Sequence, residues 1–213
     1  MGDPVYAREV VATTVKYATV PVSVKLRAGL ETYDEQYLFD FVDGLFESGA
    51  SWITLHPRTA EQKRRGKPNW NLIKNLKLRH PERRIIGNGD VQCHEEIVEA
   101  FELTSCDRVM IGRALMAKPW LIRNEPEPDS HTQGEWYGQF LKAVLKYCRE
   151  QYEESAGMRR LRFLQRQGKP WVEFGEYLQG RLQAAQNYEE MSTALDKFFA
   201  QKQKIIKKTE LRT

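Results

Sequence analysis

Four short apolar runs at near-regular spacing constrain the fold of this chain more than any other feature. They are Val22–Leu26, Trp52–His56, Arg84–Asn88 and Arg108–Gly112, and their starts lie 30, 32 and 24 residues apart. Their apolar residues are largely continuous rather than alternating, which is typical of strands covered on both faces. A strand–helix–strand unit takes about 30 residues, so the spacing predicts parallel βα repeats.

The segments between these runs have the periodicity of amphipathic helices. In a helix predicted over Tyr33–Glu47, apolar residues follow Leu38 at the third, fourth and seventh positions, which share one face. Further helices are predicted over Pro4–Tyr17, Asn69–Arg79 and His94–Leu103. Four βα units are half of an eight-strand barrel, and half a barrel exposes two sheet edges. We therefore expect a partial barrel that a missing N-terminal half or a second chain completes.

The chain changes character after a proline-rich polar segment at 124–134. Strand signals end there, and residues 1–131 carry 18 Lys/Arg and 19 Asp/Glu, whereas residues 132–213 carry 15 and 10. Helices are predicted over Glu135–Glu154, Met158–Arg166, Trp171–Ala184 and Tyr188–Lys204. We predict a βα domain at 1–123, a linker at 124–134 and a basic all-α domain at 135–213. Positive charge of this kind suggests a polyanionic partner, with a solvated helical face as the alternative.

Composition excludes several classes of protein. Hydrophobic residues at 41% and charged residues at 29% exclude a disordered or fibrous chain. No apolar run approaches the ~20 residues of a membrane span, and we expect neither a membrane anchor nor a signal peptide. Cys93, Cys106 and Cys148 are scattered and lack metal-ligand spacing, which predicts a reducing cytoplasm, no disulfide framework and no metal site.

Polar residues and glycines follow the predicted strands, at the edge where parallel sheets carry active sites. Gly89, Gly112 and Arg113 indicate a phosphate site, because glycine admits close approach and backbone N–H groups at a helix start hold anions. A tight turn is the alternative for either glycine alone. Lys25 and His56 could hold the electron-rich edge of a planar group or move a proton, or they could be an ordinary solvated lysine and a capping histidine.

Four segments resemble the flavin-dependent tRNA-dihydrouridine synthases, in that family's order and near its spacing. They are PVSVKLRAG, WITLHPRTAEQKRRGKPNW, IIGNGDV and CDRVMIGRALMAKPWL. The resemblance covers residues 4–123 and extends into GMRRLRFLQRQGKPWVEFGEYLQGRLQAAQNYEEM, which looks like the family's C-terminal tRNA-contacting domain. It implies a TIM barrel with FMN at its C-terminal mouth, followed by a helical domain. Residues 1–123 would then be the last four βα units of the barrel.

The resemblance also implies a reaction. NADPH reduces the flavin, reduced flavin gives a hydride to C6 of a uracil in tRNA, and a cysteine protonates C5 to yield 5,6-dihydrouridine. That cysteine is expected upstream of Met1, so we expect no catalytic residue in this chain and no turnover by the chain alone. A non-catalytic RNA-binding remnant is the alternative. A flavin barrel acting on a small molecule is a third interpretation, against which the basic helical part argues.

Cofactor contacts are carried over from the family to matching positions. Lys25 would contact the isoalloxazine ring with His56 beside it, and the phosphate loops would be formed by Asn88, Gly89 and Asp90 and by Gly112 and Arg113. Arg58 would lie toward the tRNA substrate. Pro57 stands where the family usually has glycine, so this loop is expected to differ.

A basic cluster in the helical part is the predicted tRNA contact. Arg159, Arg160, Arg162, Arg166 and Lys169 fall within eleven residues that contain no acid. Arginine-rich segments bind the phosphate backbone of nucleic acids. Three aromatic residues follow, and their near-helical spacing predicts core packing rather than base stacking for Trp171, Phe174 and Tyr177.

Overall fold

The computed structural model describes residues 2–32 and 34–210. They form two compact units, one of residues 2–32, 34–91 and 96–111 and one of residues 92–95 and 112–210. The elements, in chain order, are α1 Pro4–Tyr17, β1 Ser23–Gly29, α2 Glu35–Glu47, β2 Trp52–Thr59, α3 Trp70–Arg79, β3 Arg84–Asn88, α4 His94–Thr104, β4 Arg108–Met110, α5 Ser130–Gln151, α6 Glu154–Gly168, α7 Gly175–Ala184 and α8 Tyr188–Phe199. Short 3-10 helices lie at Arg113–Met116, Pro119–Arg123 and Lys169–Trp171.

The first unit contains a four-stranded parallel sheet in the order β1-β2-β3-β4. Strand follows helix along the chain, so the predicted α/β class and the parallel βα repeats are confirmed. The strands agree with the predicted runs, except that β1 begins one residue later at Ser23, β1 and β2 end three residues later, and β4 ends at Met110. Within the described residues, β1 and β4 are the two edges of this sheet.

The core of the first unit lies between the sheet and its helices. Side chains of α2 and α3 pack against the central strands, where Ile53, Leu55 and Ile85 are inaccessible to solvent. Leu38, Val42 and their apolar neighbours on α2 are equally buried because they share one helical face.

Side-chain caps set the helix starts of this unit. The Asp3 carboxylate accepts from the Tyr6 N–H at 2.9 Å, and Pro4 occupies the first helical position, as predicted. Asp34 caps α2 in the same way, so that helix begins at Glu35. Tyr33, where the sequence prediction starts α2, lies outside the described residues.

The second unit carries α5, α6, α7 and α8. The predicted linker at 124–134 is irregular only as far as Asp129, because the Asp129 carboxylate accepts from the backbone N–H groups of His131 and Thr132 and starts α5 early. Residues 211–213 of the predicted C-terminal domain lie outside the described residues. No helix in the described ranges is long and apolar enough to cross a membrane.

The last described residues of the second unit form a strap rather than a free basic tail. Ile205 is buried, pairs with Val172 in an antiparallel bridge and donates its N–H to the Ser130 carbonyl at 3.0 Å. The Thr209 N–H and the buried Trp171 indole both donate to the amide oxygen of Gln92. These contacts hold the strap along its length.

Candidate functional site

The carboxyl ends of β1 and β2 bring three cations and an imidazole together. The sheet register sets Arg27 opposite His56, and Lys25 lies two residues earlier, on the same face of β1 as Arg27. Lys25 is exposed and His56 is half-buried. Arg27 was not among the residues predicted for the site, although its period-2 spacing from Lys25 is a signal that could have found it.

Arg27 fixes the loop that follows β2. Its Nη1 donates to the carbonyl oxygens of Thr59 at 2.8 Å and Lys63 at 2.7 Å. Thr59 and Gln62 close the same turn, since the Thr59 N–H donates to the Gln62 side-chain oxygen and the Gln62 N–H donates to Thr59 Oγ1. The guanidinium therefore holds the start of a basic, exposed loop at 60–67.

Arg58 is buried and its guanidinium already has hydrogen-bond partners within the first unit, while its predicted position toward the substrate stays a prediction. Its residue exposure is only 1%, and Nη2 donates both to the Asp90 carboxylate and to the Gly66 carbonyl oxygen. Nη1 lies 3.5 Å from His56 Nε2. A guanidinium can only donate, so this contact favours the histidine tautomer with its proton on Nδ1. Arg58 thus positions the loop after β3 rather than presenting charge to solvent.

Pro57 fits β2 because no partner needs its missing N–H. The pairing of β2 with β3 ends at Leu55, and the register with β1 shifts between Arg27 and Gly29. Proline is tolerated at such an irregularity. The Pro57 carbonyl accepts from the Asn69 N–H at 3.2 Å, so the residue still ties the loop to the start of α3.

The loop after β3 is held closely from several sides. The Asn88 side-chain amide donates to the Met110 carbonyl at 2.9 Å and ties the end of β3 to β4. A β-carbon on Gly89 would lie 3.0 Å from the Pro68 side chain, so a larger residue here would fit only if Pro68 shifted. Asp90 has a φ of 50°, an uncommon conformation that its bond to Arg58 helps to hold.

Burial and neighbouring cations keep His56 neutral. Desolvation, followed by the charges of Arg27 and Lys25, lowers its pKa from 6.5 to about 4. Desolvation and then Arg27 also lower the pKa of Lys25. The charges that act on His56 are three cations, those of Lys25, Arg27 and Arg58, and one carboxylate, that of Asp90. This edge of the sheet is therefore cationic and suits an anionic or electron-rich group.

Gly112 and Arg113 belong to the second unit and are described by themselves. Gly112 is exposed and precedes the 3-10 helix Arg113–Met116. A β-carbon on Gly112 would meet no atom within 4 Å, so the backbone there is open to approach. Its phosphate-binding role stays a prediction.

The cations of the predicted tRNA-contacting cluster differ in whether they already have partners in the structure. Arg159, Arg160 and Arg166 are exposed on α6 and take part in no ion pair within the described residues. Arg162 instead donates Nε to the Leu182 carbonyl at 2.9 Å and Nη2 to the Ala185 carbonyl at 2.7 Å.

Lys169 also has a partner, although it lies at the surface. Its Nζ lies 2.7 Å from a carboxylate oxygen of Glu176. Arg162 therefore caps the end of α7, and Lys169 is paired near its start. Arg162 and Lys169 therefore differ from the exposed arginines of α6, because their cationic groups already have partners in the second unit.

The three aromatic residues after the cluster differ in burial. Trp171 is buried at 1% exposure, so its predicted core role is confirmed. Phe174 and Tyr177 are 66% and 63% exposed, and the prediction of core packing was wrong for both. The chain leaves the helical path at 169–174, where Phe174 has a φ of 55°, so the assumed helical spacing does not hold.

One group in the second unit has the residue types of a metal site. Ligand atoms of Cys93, Glu95 and Glu127 all lie within 4.8 Å of one another. Lysines already neutralise both carboxylates, because Lys118 Nζ lies 3.1 Å from Glu127 Oε1 and Lys207 Nζ lies 2.6 Å from Glu95 Oε1. The Lys118–Glu127 pair is buried, whereas the Lys207–Glu95 pair lies at the surface, so the carboxylates of this cluster are held by ion pairs.

Comparison with known proteins gives one consistent result. The family model for dihydrouridine synthase matches residues 1–209. A probable tRNA-dihydrouridine synthase of Aquifex aeolicus is 39% identical over 127 residues, which are 60% of this chain and 38% of the relative. One from Rickettsia bellii is 32% identical over 172 residues, 74% of this chain and 50% of the relative.

A third relative, from Mycobacterium leprae, carries the same description. It is 31% identical over 151 residues, which cover 67% of this chain and 38% of the relative. The chain thus spans between 38% and 50% of the length of these curated relatives.

Proposed function

The chain belongs to the dihydrouridine synthase family, and from that membership we propose that it serves in the reduction of uridine to 5,6-dihydrouridine in tRNA. We propose FMN as the cofactor and NADPH as the reductant. The observation that best supports this function is the cationic strand edge formed around a neutral histidine by Lys25, Arg27 and Arg58. Because the chain spans at most half of the relatives' length, the reaction is proposed for the protein to which these residues belong.

The residues of the first unit fit FMN. A buried Nε of Arg58 has no hydrogen-bond partner within the described residues, and it lies in a guanidinium that already neutralises Asp90. With that carboxylate neutralised, the loop Asn88–Gly89–Asp90 is compatible with a phosphate. Lys25, exposed at the strand edge, would contact the isoalloxazine ring with His56 beside it. Gly112 and Arg113, in the second unit, are separately proposed for the phosphate.

Lys25 and His56 would have different roles toward the bound FMN. Bound FMN would supply the hydride for C6 of uracil. Lys25 adds positive charge and so favours an electron-rich ring, whereas neutral His56 offers a hydrogen bond without adding charge. All three cysteines are buried, with exposures of 5% or less, so we assign the proton transfer to C5 to none of them.

We assign tRNA binding to the exposed face of α6. Arg159, Arg160 and Arg166 lie there without carboxylate partners among the described residues, as phosphate-binding arginines require. Arg162 and Lys169 are not included in this assignment. Arg162 donates to carbonyls at the end of α7, and Lys169 pairs with Glu176. We propose that the reaction takes place in the cytoplasm, because the proposed substrate is tRNA and the three cysteines are free thiols, as a reducing compartment keeps them.

Disruption of the gene tests the proposal, with tRNA nucleosides measured by mass spectrometry. We expect the dihydrouridine content to fall at one or more tRNA positions and to return when the gene is reintroduced. Unchanged dihydrouridine at every position would overturn the proposal. Salt-dependent tRNA binding by the purified chain alongside unchanged dihydrouridine would instead identify a non-catalytic RNA-binding protein.

A further inference from the structure

A cleft in the second unit is lined by aromatic rings and by arginines that have no carboxylate partner within the described residues. Its volume is about 520 Å³, within the range of about 300–1,000 Å³ that is usual for small-molecule sites. The cleft is bordered by α5 and α6, and its walls include Tyr147, Tyr152 and Phe163. Tyr147 and Phe163 are 55% and 52% exposed, so part of each ring is accessible to a ligand.

The rings and arginines of this part of the second unit contact one another, and the guanidinium carbon of Arg166 lies 5.8 Å from the centroid of the Phe163 ring. Tyr147 and Tyr152 meet edge to face, with centroids 6.1 Å apart. The guanidinium carbon of Arg160 lies 4.2 Å from the centroid of the Tyr152 ring. On α6, Arg159, Phe163 and Arg166 follow one another at four and three residues, so they share one face. The cleft therefore combines flat apolar surfaces with cationic edges.

Charge identifies the class of ligand. Arg159 and Arg160 line the cleft, no acidic residue lines it, and neither arginine has a carboxylate partner in the described ranges. Cys148, at the inner wall, is buried, and burial raises the pKa of its thiol, so the cleft contains no reactive thiolate. An apolar peptide would leave both guanidinium groups without anions. A nucleotide supplies a planar base for the rings and phosphate for the arginines.

We propose that this cleft binds an unstacked nucleobase of the tRNA, with the adjoining phosphates at Arg159 and Arg160. The base would stack on Phe163 or Tyr147, a contact that depends on ring shape rather than on base identity. This inference rests on the proposed function, since it names the place where the second unit holds its RNA. The cleft would fix the RNA by one base, while the arginines supply the salt-dependent part of the affinity.

Binding of an in vitro tRNA transcript to the full chain, measured at several KCl concentrations, tests the proposal. Phe163→Ala and Tyr147→Ala should each weaken binding about tenfold with an unchanged salt slope, because each removes stacking and no charge. Phe163→Tyr should restore the affinity. Arg159→Gln combined with Arg160→Gln should instead reduce the salt slope by about one unit per arginine.

Two controls keep the result interpretable. Phe174→Ala removes an equally exposed ring outside the cleft and should change the affinity less than twofold. Photo-cross-linking of 4-thiouridine-substituted tRNA to the wild-type chain should attach RNA at Tyr147 or Phe163, independently of any variant's folding. If the wild type binds tRNA but neither alanine variant weakens it and no cross-link falls in the cleft, the inference is wrong and the proposed function stands. If the wild-type chain does not bind tRNA, the inference is wrong, whereas the proposed function is decided separately by the dihydrouridine content of the cells with the disrupted gene.

Discussion

The two compact units use their arginines in opposite ways. In the first unit Arg58 is buried at 1% exposure, and its guanidinium donates hydrogen bonds to the Asp90 carboxylate and the Gly66 carbonyl. In the second unit Arg159 and Arg160 are exposed and face no carboxylate within the described residues. The first arrangement fixes a loop before any ligand arrives, and the second leaves charge available to a ligand.

This difference shows what an arginine in a motif can mean. A buried guanidinium with neutralising partners contributes to shape, so its loss is expected to appear as lost stability. An exposed guanidinium contributes little to stability, so its loss should appear in binding and in salt dependence. The following variants separate these two roles, from the largest expected effect to the smallest.

Removing Arg58 should have the largest effect. Arg58→Met leaves Asp90 and the Gly66 carbonyl without their donor, so the free energy of unfolding should fall by about 3 kcal/mol or more. Urea denaturation measures this change. Arg64→Met, in the exposed loop after β2, is the matched control and should stay within about 0.5 kcal/mol of the wild type. Equal effects of the two variants would show that Arg58 has no organising role.

Arg162 should behave as a structural residue within α6, the helix that we propose to bind tRNA. Arg162→Gln removes two hydrogen bonds to carbonyls at the end of α7, which should lower the free energy of unfolding by about 2 kcal/mol. Its effect on tRNA affinity in the refolded protein should be less than twofold. Arg159→Gln should instead weaken tRNA binding and leave the free energy of unfolding nearly unchanged. A large loss of tRNA affinity in Arg162→Gln with unchanged stability would contradict the structural role of Arg162.

His56 should make the stability of the wild type depend on pH. Its folded pKa of about 4 lies below the unfolded value of 6.5, so between pH 7 and 5 the unfolded chain takes up a proton that the folded chain does not. The free energy of unfolding should therefore fall as the pH falls, by up to about 1 kcal/mol once solvent screening of this half-exposed ring is allowed for.

The variant His56→Gln isolates this effect from the other three histidines. Urea midpoints at pH 7 and pH 5 should differ less in His56→Gln than in the wild type. An NMR titration of the wild-type ring gives the pKa directly. A value at or above 6.5 would refute the cationic environment that we assign to the strand edge.

Lys169 should give the smallest effect. Its ion pair with Glu176 lies at the surface, with 25% and 80% side-chain exposure, so Lys169→Gln should change the free energy of unfolding by about 0.5 kcal/mol or less. The same variant should change tRNA affinity less than twofold, because the lysine is already paired. A tenfold loss of affinity for tRNA would show that Lys169 contacts the RNA despite its ion pair.

The sequence contains enough local information to predict much of the fold. The bounds of α1 and β3 were predicted to the residue, because Asp3 and Pro4 act within one helical turn and the apolar run of β3 is short and well bounded. The order of the parallel strands follows from spacing in the same way. These features depend on neighbours along the chain, which are visible in the sequence.

The features that the sequence could not predict are contacts with residues far along the chain. Arg58 meets Asp90, 32 residues away, and Arg162 meets carbonyls 20 and 23 residues away. Nothing in the basic pattern at 159–169 distinguishes a capping arginine from a free one. Phe174 and Tyr177 were assigned to the core because the spacing assumed an unbroken helix, which the turn at 169–174 interrupts.

The central claim is that the strand-edge residues serve the chemistry, while α6 binds the tRNA. The most direct test is the dihydrouridine content of tRNA from cells whose only copy of the gene carries Lys25→Met, together with the tRNA affinity of the purified variant. The account predicts that dihydrouridine is lost although the affinity for tRNA changes less than twofold. Wild-type dihydrouridine levels in the Lys25→Met cells would contradict it.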